Sequence, residues 1–349
     1  MFYLSLFVTA IILTALLTIL VRKLAWRLQI IDVPDQDNLG GRKIHRVATP
    51  LLGGTAIFIA YFFLLFFYSD QFLSGALQWS HLLAFAAGGA ILIIGGALDD
   101  KLNLSPRWQF IFPVLAIIIV ICGGVEITRL SNPLGGFINL QTISLISPLL
   151  ISIWLMGMMY TTKLLDGVDG LVSGISVIGG LIIFLFTLTT RYYQPDIALA
   201  AVLLAGTTAG FLIFNWHPAK IFLGEGGSLL LGYILGVLAI ISGGKIAIAL
   251  LIMGIPILDV AWTIVRRLLN GKNPFKFSDQ RHLHHRLLSL GLSQRQTVLI
   301  FYFLSFIFGI SGLFLQSRGK LGALVILLAV MLGIVIFIER FDRRKRQIL

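Results

Sequence analysis

Apolar runs, most of them about 18–22 residues long, recur from one end of the chain to the other and alternate with short polar stretches. As helices, such runs are long enough to cross a hydrocarbon core. Eleven are predicted, at approximately 1–21, 51–68, 81–98, 107–125, 145–163, 171–190, 197–214, 229–242, 245–264, 297–316 and 320–338. The eighth is the shortest, and little polar sequence separates it from the ninth. The first is followed by Arg22-Lys23 and has no basic flank before it, so it reads as an anchor rather than a cleaved leader. The expected fold is an all-α polytopic membrane protein of about eleven transmembrane helices. It forms one integral membrane domain over 1–349, with no soluble domain between spans.

Composition agrees: 58% of the 349 residues are hydrophobic, 12% are charged and mean hydropathy is +0.96. Cys122 stands alone in an apolar run, which excludes an intrachain disulfide and a multi-thiolate metal site. The net charge of +12 changes the picture only through its distribution. With alternate loops on opposite sides, 22 of the 27 Lys and Arg fall on one side and 5 on the other. The positive-inside rule then puts the C-terminus in the cytoplasm and the N-terminus outside. The basic tail "RFDRRKRQIL" reads as a topology anchor against anionic lipid, and no nucleic-acid partner is expected.

The polar stretches that carry chemistry all fall on the cytoplasmic side of this scheme. They are 40–54, 99–108, 163–174, 215–228 and 278–293; the longest external stretch, 126–145, reads as a turn or short hairpin. Asp99 and Asp100 are adjacent and, on a helix, point about 100° apart, so they serve different partners. Asp166 and Asp169, each followed by glycine, are spaced to face one ligand. Glu225 sits among Gly224, Gly226 and Gly227, in what reads as a loop that backbone or a ligand can approach closely. Acids gathered at a membrane face need cations: Mg²⁺, Lys or Arg. His282, His284 and His285, with Arg281 and Arg286, lack the spacing of a helical zinc site and suit a diphosphate. Asp259, seven residues before Arg266 on one predicted helix face, is read as its ion-pair partner.

Together, "RKIH" with "TPLLGG", "DDKLNLSPR", "DGVDGL", "FLGEGGS", "PILD" and "DQRHLHHRLL" resemble, in order and spacing, the polyprenyl-phosphate N-acetylhexosamine-1-phosphate transferases of bacterial envelope synthesis. The resemblance covers about 42–292, and the His-Leu-His-His form looks like the branch that loads N-acetylglucosamine 1-phosphate for surface polysaccharide or teichoic acid linkers. It implies a multi-pass enzyme of the bacterial inner membrane with a cytoplasmic active site. A UDP-sugar would give its phospho-sugar to a polyprenyl phosphate, and UMP would be released. By that resemblance Asp99 and Asp100 position or activate the lipid phosphate, and Asp166 and Asp169 hold the nucleotide or the metal shell. His282, His284, His285, Arg281 and Arg286 bind the diphosphate, and Lys43, His45 and Ser228 are further substrate-binding positions. Mg²⁺ is the implied cofactor.

The chain departs from the family pattern at defined positions. The acid of the fourth motif, usually a magnesium-binding Asp, is Glu225. The two Asn that usually stand three and six residues before the first Asp-Gly are Lys163 and Tyr160. Gln109 stands for a basic residue, and Leu51 for an Arg. An ammonium has no lone pair for a metal and repels it. Because both positions change with complementary charges, Glu225 is expected either to bind metal or to pair with Lys163.

Three function classes follow. A transferase accounts for the order and sidedness of the motifs. A relative that binds polyprenyl or nucleotide ligands without turnover is favoured by the altered positions. A transporter would put its polar groups near the midplane and show an internal repeat, and neither is found. Small residues within spans, Gly179-Gly180 and Gly206 with Gly210, permit close packing within the chain or in a homodimer.

Overall fold

In the computed structural model the described residues are 1–34, 47–132, 136–140, 145–189, 193–243, 246–269, 271 and 282–348. The helices follow the apolar runs because, in hydrocarbon, only a helix satisfies its own backbone along the segment. They are α1 (Phe2–Arg27), α2 (Gly53–Phe67), α3 (Ser69–Phe72), α4 (Trp79–Leu102), α5 (Pro106–Cys122), α6 (Ile146–Leu165) and α7 (Leu171–Thr187). There follow α8 (Pro195–Asn215), α9 (Gly224–Ile241), α10 (Ile246–Ile252), α11 (Gly254–Leu269), α12 (Leu283–Ser289), α13 (Gln294–Phe314) and α14 (Ser317–Ile348). Local chemistry marks several starts. Pro106 and Pro195 sit in the first turns of α5 and α8, and a Ser293–Gln296 capping box opens α13.

Seven of these helices are long and apolar enough to cross a membrane, which makes this a helical, multi-pass membrane protein. Three more, α2, α5 and α7, have 15 to 17 residues, short of the roughly 20 that a full crossing needs. The predicted ninth run is a broken one: α10 and α11 meet at 81°. Pro256 lacks the N–H that Ile252 would have received one turn earlier, while the neighbouring bonds Met253 N to Ala249 O and Ile257 N to Met253 O persist.

Two short hairpins accompany the helices. The stretch 126–145 contains the antiparallel pair β3 (Arg129–Ser131) and β4 (Phe137–Asn139), with Leu130 opposite Ile138. The other pair, β1 (Ile31–Asp32) with β2 (Thr49–Pro50), is invisible to a periodicity argument because it is two residues long.

The core is built around α9, 89% buried, and α8, 78% buried, with α1 and α14 at the periphery. Helix α8 packs on α1 and α7, and α9 on α4 and α6. The span glycines work inside the chain. A side chain on Gly206 or Gly210 would run into α1 at Phe7, Ala10 or Ile11, and one on Gly180 into the backbone of α8 at Ala201 and Ala205. Close backbone approach of this kind is how membrane helices gain packing energy without a hydrophobic driving force.

Candidate active site

Two polar stretches distant in sequence are joined by backbone bonds at one end of the bundle. Phe222 N donates to Pro50 O at 2.9 Å, Gly53 N to Phe222 O at 2.9 Å and Gly54 N to Leu223 O at 2.8 Å. Leu52 takes a left-handed conformation (φ 78°) to make this join. The chain then enters α9 directly, so "GEGGS" is not the loop expected from its glycines but the first turn of the core helix. Gly226 lies against Leu92, Ile93 and Gly96 of α4, and Gly227 against Gly54 of α2, at distances no side chain would fit. Those glycines set helix spacing rather than leave room for a phosphate. Gly224 is the exception, with φ 74° and the Asp100 carboxylate 2.5 Å from where a Cβ would stand.

A chain of polar contacts runs across four helices at this end. Asp99, on α4, accepts from Leu104 N at 2.9 Å and from Gln109 Nε2 at 3.2 Å. Gln109, on α5, also donates to Leu104 O, and its Oε1 accepts from Lys163 Nζ at 3.1 Å. Lys163, on α6, reaches Glu225 Oε2 of α9 at 2.8 Å. The loop closes through Asp100, whose two carboxylate oxygens both accept from Glu225 N at 3.2 Å. The Lys163 ammonium also lies 5.9 Å from the centroid of the Tyr160 ring, which stacks on Phe110. Gln109, Tyr160, Lys163 and Glu225, four of the five departures read from the sequence, are therefore one contiguous cluster; the fifth, Leu51, bonds elsewhere, its N–H donating to Ile30 O.

Asp166 and Asp169 have different protein surroundings. Asp169 Oδ2 accepts from His217 Nδ1 at 2.7 Å and from Ala219 N at 3.1 Å, and Arg295 donates to His217 O. Asp169 thus fixes the turn between α8 and α9. The carboxylate of Asp166 accepts no hydrogen bond among the described residues and stays partly accessible. Burial of its surroundings, and then the charges of Glu225, Asp100 and Asp169, push its pKa up to about 8. Asn215 holds the two turns together: its Oδ1 accepts from Gly170 N and Ser173 Oγ, and its Nδ2 donates to Ile221 O.

The histidines close the site from the other side. Asp259 is not paired with Arg266 as expected. Its two oxygens accept from His282 Nδ1 and Leu283 N, each at 2.9 Å. This bond turns the α12 segment onto the Asp166–Gly170 turn. A Cβ on Gly167 would meet His284 Nε2 at 2.8 Å and His285 Nε2 at 3.5 Å. His284 is 1% exposed, and among the described residues neither ring nitrogen has a hydrogen-bond partner. Burial, then His285 and His282, pulls its pKa well below the ordinary histidine value, so it offers a neutral ring with one donor and one acceptor.

Of the remaining positions expected from the sequence, Ser228 is turned inward, 2% exposed, with its hydroxyl given to Glu225 O. Arg286 is half-buried on α12. Lys43, His45 and Arg281 lie outside the described residues. The sequence reading assigned no role to Asn215 or His217. The available signal was their place at the polar end of an apolar run, inside a stretch already marked as motif-like.

The donor set does not fit the magnesium ion implied by the family resemblance. Glu225, through Oε2, and Gln109, through Oε1, face one ammonium, Asp100 gives both of its oxygens to a backbone N–H, and Asp99 is held by Leu104 and Gln109. Among the described residues no three His, Cys, Asp or Glu side chains converge as a metal site.

Comparison with known proteins adds a consistent picture. Residues 82–243 match the model of glycosyl transferase family 4. A probable undecaprenyl-phosphate N-acetylglucosaminyl 1-phosphate transferase of Bacillus subtilis is 34% identical over 318 residues, which is 89% of this chain and 84% of that protein. A decaprenyl-phosphate N-acetylglucosaminephosphotransferase of Mycobacterium tuberculosis is 32% identical over 84% of this chain and 78% of its own length. An undecaprenyl-phosphate alpha-N-acetylglucosaminyl 1-phosphate transferase of Thermotoga maritima is 29% identical, covering 86% of this chain and 87% of itself. With motif order, helical architecture and near-full-length relatives in agreement, the chain belongs to glycosyl transferase family 4.

Proposed function

We propose that the chain transfers N-acetylglucosamine 1-phosphate from a UDP-sugar to a polyprenyl phosphate, as a membrane step of cell-envelope polymer synthesis. The observation that carries this reading is the meeting of four separate motif stretches at one end of the bundle. They meet through the Asp100–Glu225 and Lys163–Glu225 contacts and the seating of His284 and His285 on Gly167. The names of relatives matched over 78–87% of their own length support the reaction class.

In this reaction an oxygen of the lipid phosphate attacks the sugar-bearing phosphorus of the nucleotide. A new P–O–P link forms, the old one breaks, and UMP departs with the electron pair. The lipid phosphate is largely dianionic at neutral pH and needs no strong base. The chemistry needs alignment and charge neutralisation. Lys163 supplies a fixed positive charge, and His284 supplies an N–H that no described residue accepts. Asp166, held protonated up to about pH 8, meets a phosphate oxygen as a hydrogen-bond donor rather than as a repelling anion. Counting the three shorter apolar helices and the bent pair α10–α11 as crossings brings the seven long spans to eleven. That count and the Lys/Arg bias support an orientation with the N-terminus outside the plasma membrane and the C-terminus and site on its cytoplasmic face.

The test is UMP release by the detergent-solubilised chain from UDP-N-acetylglucosamine and undecaprenyl phosphate, with magnesium or with chelator. Lipid-dependent UMP release is expected. A second reading, a relative that binds these ligands without turnover, is favoured by the Lys163–Glu225 pair. Retained nucleotide with no UMP under either condition selects it.

A further inference from the structure

The cluster around Glu225 gathers negative charge among partly buried side chains. Asp100 and Glu225 are within electrostatic range of each other and of Lys163, and Asp166 is within range of Glu225 and Asp100. Among the described residues, the cation paired with an acid of this cluster is the Lys163 ammonium, 16% exposed, at 2.8 Å from a Glu225 carboxylate that is itself 36% exposed. It is held from three directions: by Glu225, by the Gln109 carbonyl oxygen at 3.1 Å, and beneath by the Tyr160 ring. Gln109 is oriented in turn by Asp99 and Leu104 O, so its carbonyl cannot turn away without losing two bonds. An ammonium caged in this way is pre-organised rather than recruited.

We propose that Lys163 is the resident cation of this acidic cluster. Its ammonium fills the charge-neutralising position, bars a divalent metal from Glu225, and lets the site take a phosphate-bearing ligand without metal. Two physical facts carry this. An ammonium and a divalent ion cannot share a carboxylate without strong repulsion. And Glu225 carries one methylene more than Asp, which extends its carboxylate toward α6, where Lys163 stands. The metal half of the proposal is independent of turnover; the ligand half rests on the phosphate-transfer reading above.

The test uses the full chain in detergent with Mn²⁺ as the probe, followed by its paramagnetic resonance signal. Wild type is expected to show no saturable Mn²⁺ site that Glu225→Gln abolishes. Lys163→Gln removes the ammonium while leaving the acids, and is expected to bind Mn²⁺ roughly tenfold or more tighter than wild type. Adding Glu225→Gln should cancel that gain. If Lys163→Gln does not keep its melting temperature, Lys163→Asn combined with Glu225→Asp carries the same test. In parallel, UDP-N-acetylglucosamine should bind wild type equally well with EDTA or Mg²⁺, whereas Lys163→Gln should bind it only with a divalent ion. A saturable wild-type Mn²⁺ site lost in Glu225→Gln overturns the proposal, as does a folded Lys163→Gln protein with no gain in Mn²⁺ affinity. Wild type that binds the nucleotide only with Mg²⁺ overturns it as well. Failure of wild type to bind the nucleotide under either condition counts against the ligand half and against the proposed function, while the Mn²⁺ results still decide the metal half.

Discussion

Asp259 of α11 holds His282 at 2.9 Å through Nδ1, and its second oxygen takes the N–H of Leu283, so one carboxylate fixes both the ring and the start of α12. Both residues are almost fully buried, at 4% and 5% exposure. Removing one member of a buried pair leaves the other uncompensated, which typically costs about 3–5 kcal/mol. Asp259→Ala is therefore expected to lower thermal stability markedly and to weaken binding of the nucleotide sugar. Asp259→Asn, which keeps an oxygen for His282 or Leu283, should recover part of both. Melting curves in detergent, read beside nucleotide affinity, check this; an Ala variant as stable as wild type would refute the positioning role.

The glycine contacts of α9 predict a sharp asymmetry among glycine variants. A methyl group on Gly96 would collide with the backbone of Gly226, and one on Gly54 with that of Gly227, and neither backbone can move aside cheaply. Gly96→Ala and Gly54→Ala are expected to cost about 1–3 kcal/mol or more and to reduce the yield of folded protein. Gly322→Ala on α14, where nothing lies within 4 Å of the added atom, should be neutral. Size-exclusion profiles of the three variants provide the comparison.

Asn215, 3% exposed, satisfies Gly170 N, Ser173 Oγ and Ile221 O at once. Asn215→Ala leaves a buried N–H and a buried carbonyl without their side-chain partner, at about 1–3 kcal/mol for each group that stays unsatisfied. Asn215→Asp is expected to be worse, because it points a carboxylate at the Ile221 carbonyl. Thermal stability of the two variants would rank them; the reverse order would show that the Ile221 contact matters little.

Asp166 and His284 predict pH dependences of opposite sense. The folded pKa of Asp166 is raised from 3.8 to about 8, so between those values the folded chain keeps a proton that the unfolded chain has lost. That contribution is full below about pH 4 and is lost as pH rises through about 8. His284 is shifted down, so its contribution is present above its ordinary value of 6.5 and is lost as pH falls below it. Asp166→Asn should flatten the alkaline decline and leave the acidic one. Melting temperatures across the range would show no difference between the variant and wild type if Asp166 ionised normally.

Much of the architecture was readable because the bilayer imposes length and polarity directly on the sequence. The helical runs, the hairpin near 126–145 and the pairing of Lys163 with Glu225 followed from composition, turn residues and complementary charge. What failed were inferences from spacing alone. Asp259 was matched with Arg266 because seven residues put them on one helix face, but its partner comes 23 residues later, across a turn of the fold. Asp169 was matched with Asp166 by the same logic, whereas its partner, His217, is 48 residues away. The glycines beside Glu225 read as loop because glycine is rare inside soluble helices; in a membrane bundle the same residue marks backbone contact. Local spacing shows which side chains share a face, not which helix that face meets.

The backbone contact between Gly96 and Gly226, and the strand-like join of Pro50 with Phe222, have a further consequence for how such a site can change. The height and rotation of α9 are set by atoms common to every residue. Altering the side chain at 225 therefore leaves the platform where it was. Chemistry and scaffold are separable variables here. The acid, its counter-ion, the amide that orients that counter-ion and the ring beneath them can be exchanged as a group of four, on a frame that registers none of the exchange.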